Sequence, residues 1–268
     1  MTVFEAHEIE DLKLFAMDII RDAGEEALKF YGRGKLNLKF DQDLVTNAEL
    51  RLTQLFQDRL CNRFPEHRIF KNTQDDSQYS HEGKRYLWVF DAIDGVSNFQ
   101  AGIPIWGISV SLLENYWPVF GMFYMPATGD LFHALAGQKA CRGDQEIFVS
   151  TQTDINDESV LLIYSRFHNH YLSTFPGKVR NLGCTVAHVC YVASGRAEAA
   201  VIGRETYHDL ATARIIIEAA GGKIYKMDGS DFFLNEHLNG ERIDEHLIAV
   251  APNIRLQVCN YLRDRCQS

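Results

Sequence analysis

The sequence lacks the patterns by which several classes of protein are recognised. Its 268 residues include six cysteines and ten histidines, but the cysteines form no CxxC pair or zinc spacing and the histidines form no HExxH motif. Lys and Arg number 27 against 36 Asp and Glu, which gives a formal net charge of -9, and no basic stripe stands out. We therefore expect reduced thiols, no zinc site and no nucleic-acid partner.

Long apolar runs are also missing. The first residues carry Glu5, Glu8 and Glu10 without an apolar core segment, so we expect no secretory signal peptide. No run is long enough to span a bilayer, and we expect no membrane partner. Hydrophobic residues still make up 46% of the chain, which is ample for a large core. These features predict a cytoplasmic protein of one large domain or two fused halves.

Hydrophobic periodicity predicts an alternation of helices and strands. An amphipathic helix is predicted over residues 7–31, a second helix from Thr46, and a buried strand at Tyr86–Phe90. Further strands are predicted at WGISVSLLE, WPVFGMFYM, LFHALA, SVLLIY, AEAAVI, GKIYKM and HLIAVA, and further helices over residues 185–194, over 209–220 and from Asn253. The short connections between the strands after Phe90 favour an antiparallel meander.

The polar stretch STQTDINDES, residues 150–159, is the best candidate for a boundary within the chain. It separates an N-terminal half, residues 1–150, which holds the meander, from a C-terminal half, residues 151–268, in which strands and helices alternate. We expect the two halves to pack as one compact unit. The overall pattern predicts a mixed α/β fold with layered sheets and helices.

Two aspartates follow the buried strand directly. Asp91 and Asp94 stand at its carboxyl end, where α/β proteins commonly bind ligands. The sequence DAIDG could be an ordinary turn, in which Asp and Gly are favoured for their conformation. Two such carboxylates can instead bind divalent cations such as Mg²⁺ for phosphoryl transfer. If a helix begins after Asp94, the amides of residues 95–97 can also cradle an anion.

Three blocks of the sequence resemble the inositol monophosphatase family. WVFDAIDGVSNF is similar to the family pattern W-[VI]-[VI]-D-P-[IL]-D-G-T-T-N-F, DLVTNAE to its early D-[LF]-V-T-x-x-D block, and residues 183–222 to its late block. The blocks occur in the family's order over nearly the whole chain. The resemblance implies an α-β-α-β-α sandwich, a homodimer, and hydrolysis of a small phosphate monoester by metal-activated water. The implied cofactor is Mg²⁺, for which Ca²⁺ or Mn²⁺ could substitute.

The resemblance also assigns roles to individual residues. Asp91, Asp94 and Asp209 match metal-binding carboxylates, and the backbone carbonyl of Ile93 matches a fourth ligand. Asp209 is equally typical of a helix N-cap, and one residue can serve both roles. The positions that match substrate contacts are Gly95, Val96, Ser97, Gly183, Cys184, Thr185 and Ile202.

Four positions depart from the family pattern. Asn72 stands where a metal-binding glutamate is expected, Val96 where a threonine orients the attacking water, and Glu49 where that threonine has an aspartate partner. Glu49 also completes a capping box with Thr46 at the start of the second helix, and we favour this structural role over catalysis. Ile202 stands where an acid contacts inositol, so we do not expect myo-inositol 1-phosphate to be a substrate.

These departures leave two interpretations open. The chain can be a Mg²⁺-dependent phosphatase with reduced activity on standard substrates, in which Asp75, Asp76 or His208 compensates for the lost groups. It can also be a non-catalytic regulatory or binding protein on the same fold. Losing a positioned proton acceptor typically costs ~10²–10⁴ in rate, which favours the second interpretation, whereas the retained aspartates favour the first.

Overall fold

The structure is a computed structural model that describes residues 6–35, 37–70, 86–238 and 241–265. The helices are α1 (Ala6–Leu28), α2 (Gln42–Arg63), α3 (Val96–Ala101), α4 (Phe167–His170), α5 (Thr185–Ala193), α6 (Tyr207–Ala219) and α7 (Arg255–Asn260). The strands are β1 (Arg68–Ile69), β2 (Tyr86–Asp94), β3 (Gly107–Glu114), β4 (Trp117–Met125), β5 (Asp130–Leu135), β6 (Cys141–Arg142), β7 (Gln145–Glu146), β8 (Val160–Ile163), β9 (Tyr171–Ser173), β10 (Lys178–Arg180), β11 (Ala199–Ile202), β12 (Lys223–Lys226), β13 (Leu247–Val250) and β14 (Leu262–Asp264). No helix of these residues is long and apolar enough to cross a membrane.

Strands β1 to β7 form one sheet in chain order. The short strand β1 runs parallel to β2, and every later neighbour in this sheet is antiparallel. The predicted meander is therefore confirmed. Its turn between β3 and β4 uses Asn115 and Tyr116, which have φ angles of 49° and 67°. Two successive residues with positive φ fit a tight hairpin turn that follows the twist of the strands.

Strand β2 is buried on both faces. Tyr86, Trp88 and Phe90 pack in a cluster with α1 and α2, while Leu87 and Val89 pack in a second cluster with α5 and α6. Successive side chains of a strand point to opposite faces. The uninterrupted apolar run before the aspartates therefore reflects a sheet covered on both sides.

The second large sheet has the strand order β10-β8-β11-β13-β12, and β14 pairs with β9 in a small separate sheet. Helices α5 and α6 pack against strands of both large sheets. Helices α4 and α7 contribute to an apolar cluster on the other face of the second sheet. The layers are thus α1 and α2, the first sheet, α5 and α6, the second sheet, and α4 and α7, which confirms the predicted α-β-α-β-α sandwich.

Helix α2 begins earlier than predicted, at Gln42 and not at Thr46. Its N-cap is Asp41, whose carboxylate accepts a hydrogen bond from the Leu44 amide at 3.2 Å. Thr46 lies inside the helix, where its hydroxyl accepts a hydrogen bond from the Gln42 side chain at 3.1 Å. The predicted capping box of Thr46 and Glu49 is therefore wrong, because no helix begins there.

Helix α6 also begins earlier than predicted. Its N-cap is Thr206, and Asp209 is the third residue of the helix, not its N-cap. The two side chains form a capping box, which satisfies amides that the helix itself leaves free. The last helix begins at Arg255, not at Asn253. The elements that were not predicted are α4, β1, β6, β7, β9, β10 and β14.

The boundary between residues 1–150 and 151–268 stays a prediction. The first sheet ends with β7 before this point, and the second begins with β8 after it. Helices α5 and α6 contact both sheets, so any division runs through shared packing.

Candidate active site

A cavity of about 670 Å³ opens where β2, α3, α5 and the segment before α6 meet. Several of the residues assigned by resemblance line it: Asp94, Gly95, Val96, Ser97, Gly183, Cys184 and Thr185. Its volume lies within the usual range for small-molecule sites. Two of the three blocks therefore border one cavity, whereas Glu49, Asp91, Ile93 and Asp209 are not among its lining residues.

Asp91 lies at an interruption of the pairing between β2 and β3, which shifts register between Asp91 and Asp94 and leaves Ile93 outside the ladder. The Oδ1 atom of Asp91 accepts a hydrogen bond from the Ile93 amide at 3.3 Å. The Oδ2 atom is buried and has no hydrogen-bond partner among the residues that the structure describes. Buried polar atoms are nearly always paired, so this oxygen points to a ligand or a proton as its partner.

Five acidic side chains of this region interact electrostatically: Glu49, Asp91, Asp94, Glu205 and Asp209. Burial and the charges of Asp209, Asp94 and Glu49 raise the pKa of Asp91 well above its usual range. Burial and Asp209 raise the pKa of Asp94 to about 6 and that of Glu205 to about 8. None of the five pairs with a Lys, Arg or His within the described residues. Buried like charges must be relieved by protons or by a cation.

Asp94 is turned toward the N-terminus of α5. It accepts hydrogen bonds from the amides of Thr185 at 3.3 Å and Val186 at 2.6 Å, and from the thiol of Cys184 at 3.0 Å. Free amides and the helix dipole make this end of a helix favourable for a negative charge. Asp94 thus occupies donors at the positions that the resemblance assigns to the substrate.

Asp209 is held at the start of α6. Its Oδ2 atom accepts hydrogen bonds from the amide of Thr206 at 2.7 Å and from the Thr206 hydroxyl at 2.6 Å. Asp209 therefore caps α6 and also lies near Asp91 and Asp94. Its charge raises the pKa of Asp91 and of Asp94.

In this arrangement, the described part of the chain holds no group of three or more His, Cys, Asp or Glu side chains that is placed to bind a metal ion. The donor chemistry nevertheless fits a hard divalent cation, because every candidate ligand is an oxygen. The unpartnered Oδ2 of Asp91 is the observation on which this fit rests. Asp94 and Asp209 would have to turn from their present partners to join it.

Gly95 allows the chain to pass from β2 into α3. Its φ is +89°, and a Cβ there would lie 3.0 Å from the Ile105 carbonyl oxygen and 3.1 Å from the Cys184 Cβ. Any other residue would be strained in that conformation and crowded at that spot. Val96 and Ser97 then form the first turn of α3.

Asn98 ties α3 to the segment before α5. Its side-chain amide donates to the carbonyl of Ile105 at 2.6 Å and to that of Leu182 at 2.7 Å. Gly183 passes directly over it with φ +76°, and a Cβ there would lie 3.0 Å from the Asn98 amide. These contacts fix the cavity wall that the two blocks share.

Glu49 lies on α2 and is half-buried, and burial raises its pKa. Its charge is also among those that raise the pKa of Asp91, so α2 brings it near the acids.

His208 does not line the cavity. Its ring packs on Phe70 with 4.9 Å between centroids, and burial lowers its pKa.

The structure does not bring every predicted position to the cavity. The side chain of Ile202 is 1% exposed and belongs to the apolar cluster between the two sheets. Asn72, Asp75 and Asp76 lie outside the described residues.

Sequence reasoning missed several residues of the cavity. Glu205, three residues after Ile202, accepts a hydrogen bond from the Thr185 hydroxyl at 2.6 Å. Its signal was its place in the short segment between β11 and Asp209. The other cavity residues without a predicted role are Tyr164, Ser165, Arg166, Asn169, His170, Asn181, His188, Gly203, Arg204, Arg242 and His246.

Comparison with known proteins finds one family along most of the chain. A model described as "Inositol monophosphatase family" matches residues 8–255. A histidinol-phosphatase of Chlorobaculum parvum is 29% identical over 265 residues, which is 95% of this chain and 99% of that protein. A Nus factor SuhB of Pasteurella multocida is 25% identical over 263 residues, or 92% and 94% of the two chains. Among solved structures, an IMPase of Thermotoga maritima superposes with a TM-score of 0.75 at 22% identity, over 94% of this chain and 96% of that one.

Proposed function

The chain belongs to the inositol monophosphatase family, and from this premise we propose that it is a Mg²⁺-dependent phosphatase that acts on a small phosphate monoester. The observation that supports this proposal most directly is the buried Oδ2 of Asp91, which has no partner among the described residues and lies among acids that pair with no described cation. A similar protein of almost the same length is named a histidinol-phosphatase.

The residues that would hold the metal are Asp91, Asp94 and Asp209, with the carbonyl of Ile93. When bound, Mg²⁺ would neutralise these acids and lower the pKa of the attacking water. Release of Asp94 from α5 would free the amides of Thr185 and Val186, which it now occupies. Those amides can then donate to an oxygen of the substrate.

Glu49 is the group that we propose takes the proton from the attacking water. Its alternative role as a helix cap has no basis, since α2 begins at Gln42. Val96 has no hydroxyl to orient that water, so we expect turnover on standard substrates to be reduced. The loss of such a positioned group typically costs ~10²–10⁴ in rate.

The test is phosphate release from a panel of phosphate monoesters, with Mg²⁺ and with a chelator. Wild type should release phosphate only with Mg²⁺, and Glu49→Gln should be at least about 100-fold slower. Glu218→Gln, a change on the exposed side of α6, is the matched control and should behave as wild type. A wild type that is inactive throughout the panel, or equally active with the chelator, would contradict the proposal.

The second candidate is a non-catalytic regulatory or binding protein. The arrangement of Asp94, which has three donors from α5 and its N-cap, favours it, because the acid is satisfied without a metal. A relative named Nus factor SuhB is also similar over nearly its whole length. A folded wild type that hydrolyses no monoester in the panel would support this candidate.

Two finer expectations remain proposals. We propose a homodimer, which sedimentation equilibrium would test by mass, and a cytoplasmic location.

A further inference from the structure

Cations as well as acids line the cavity. Arg166 comes from the N-cap of α4, Arg204 from the segment after β11, and Arg242 from the segment before β13. All three are exposed, whereas Asp94 and Glu205 are more deeply buried. The cavity therefore changes from acidic inside to basic at its outer part.

Two of these arginines have no acidic partner at salt-bridge distance in the part of the chain that the structure describes. Within the described residues, Arg204 pairs with the exposed Asp244, whereas Arg166 and Arg242 form no ion pair. Arg242 lowers the pKa of Glu205, as the last-ranked of the named influences on it, after burial, Asp209, Thr185 and Asp94. A guanidinium group offers a planar fork of donors that fits a carboxylate or a phosphate.

The tyrosine and histidine side chains near Arg166 form hydrogen bonds with one another. The Tyr164 hydroxyl lies 2.8 Å from His170 Nδ1 and 3.3 Å from His246 Nε2, and the Tyr171 hydroxyl lies 3.1 Å from His246 Nδ1. This network occupies the Tyr164 and Tyr171 hydroxyls and the rings of His170 and His246, whereas no ion pair occupies Arg166 or Arg242 within the described residues.

We propose that the ligand of this cavity carries a second anionic group, a carboxylate or a second phosphate, and that Arg166 and Arg242 bind it. This inference rests on the proposed phosphatase function, because it assigns the scissile phosphate to the acidic end. A neutral polyol phosphate would leave both guanidinium groups unused, and an ammonium group would be repelled by them. The cavity volume of about 670 Å³ leaves room for both anionic groups.

Two matched pairs of probes test this. Glycerol 3-phosphate is compared with 3-phosphoglycerate, and 2′-AMP with adenosine 2′,5′-bisphosphate, so that each pair differs by one anionic group. Wild type should prefer the second member of at least one pair by about tenfold or more in kcat/KM, as expected for a charge-assisted hydrogen bond. Arg166→Gln and Arg242→Gln should each reduce that preference by about tenfold.

Arg180→Gln is the matched control. Arg180 is an exposed arginine on β10, directly before the cavity residue Asn181, but does not itself line the cavity. It should leave the preference unchanged. Equal kcat/KM within both pairs would overturn the inference while leaving the phosphatase function intact, and so would an equal effect of all three substitutions, since that would show a general effect of net charge.

Calorimetric binding of the same probes in chelator separates this inference from the proposed function. If no probe is hydrolysed, the phosphatase proposal fails. Tighter binding of the doubly anionic probe that is lost in Arg166→Gln would then still support the second anionic group. Equal affinity for both members of each pair would overturn it.

Discussion

Replacing Glu205 with Gln should stabilise the metal-free protein, and more so as the pH rises. Burial and the charge of Asp209 raise the pKa of Glu205 from an ordinary 4.5 to about 8. Between these values the folded protein holds the proton and the unfolded chain does not. Stability from this proton is therefore fully present below about pH 4.5 and is lost as the pH rises through about 8.

The size of the effect follows from the width of this window. Each pH unit in which only the folded state holds the proton changes the free energy of unfolding by about 1.4 kcal/mol. From pH 5 to pH 8, with partial titration at both ends, the loss is on the order of 3 kcal/mol. Gln cannot ionise, yet it keeps a carbonyl oxygen for the hydrogen bond from the Thr185 hydroxyl.

The assay is urea unfolding in chelator at several pH values from 5 to 8. The difference in the free energy of unfolding between Glu205→Gln and wild type should grow over this range by on the order of 3 kcal/mol. Glu218→Gln removes an exposed acid near the C-terminal end of α6 and should follow wild type in parallel. A difference that stays constant from pH 5 to pH 8 would refute the reasoning.

Three further outcomes are expected. Asn98→Ala should lower the free energy of unfolding by about 2–4 kcal/mol in urea denaturation, because the carbonyls of Ile105 and Leu182 each lose a donor; a loss below about 0.5 kcal/mol would contradict this. Combining Val96→Thr with Asn72→Glu should speed Mg²⁺-dependent phosphate release more than the product of the two single gains, since groups of one catalytic unit are non-additive; gains that simply multiply would argue against a shared unit. Hydrolysis of myo-inositol 1-phosphate should be negligible, and a kcat of ~1 s⁻¹ or more would show that the expected acid is replaced.

The layered fold could be predicted because strand and helix periods are clear in this sequence. The strand at Tyr86–Phe90 and the meander after it have apolar runs separated by short turns. Helix starts were harder, because several residues at each start can act as caps. Asp41 and Thr206 are the caps that form, whereas Thr46 and Asp209 had equally suitable side chains.

The site could be predicted only in part. Asp91, Asp94 and Asp209 were assigned through short, ordered blocks that resemble a known family. Arg166 and Arg242 lie in connecting segments far apart in the chain, and only the packing of the second sheet brings both to one cavity. No local pattern marks such residues, since their common position depends on tertiary structure.

The most direct test of the account compares wild type with Asp91→Asn. Calorimetry measures Mg²⁺ binding, and phosphate release is followed on a substrate that wild type hydrolyses. Asp91 carries the buried oxygen that has no partner among the described residues. The account therefore predicts that the substitution abolishes measurable Mg²⁺ binding and lowers Mg²⁺-dependent turnover at least about 100-fold, while the protein stays folded. Equal Mg²⁺ affinity and equal turnover in the two proteins would contradict it.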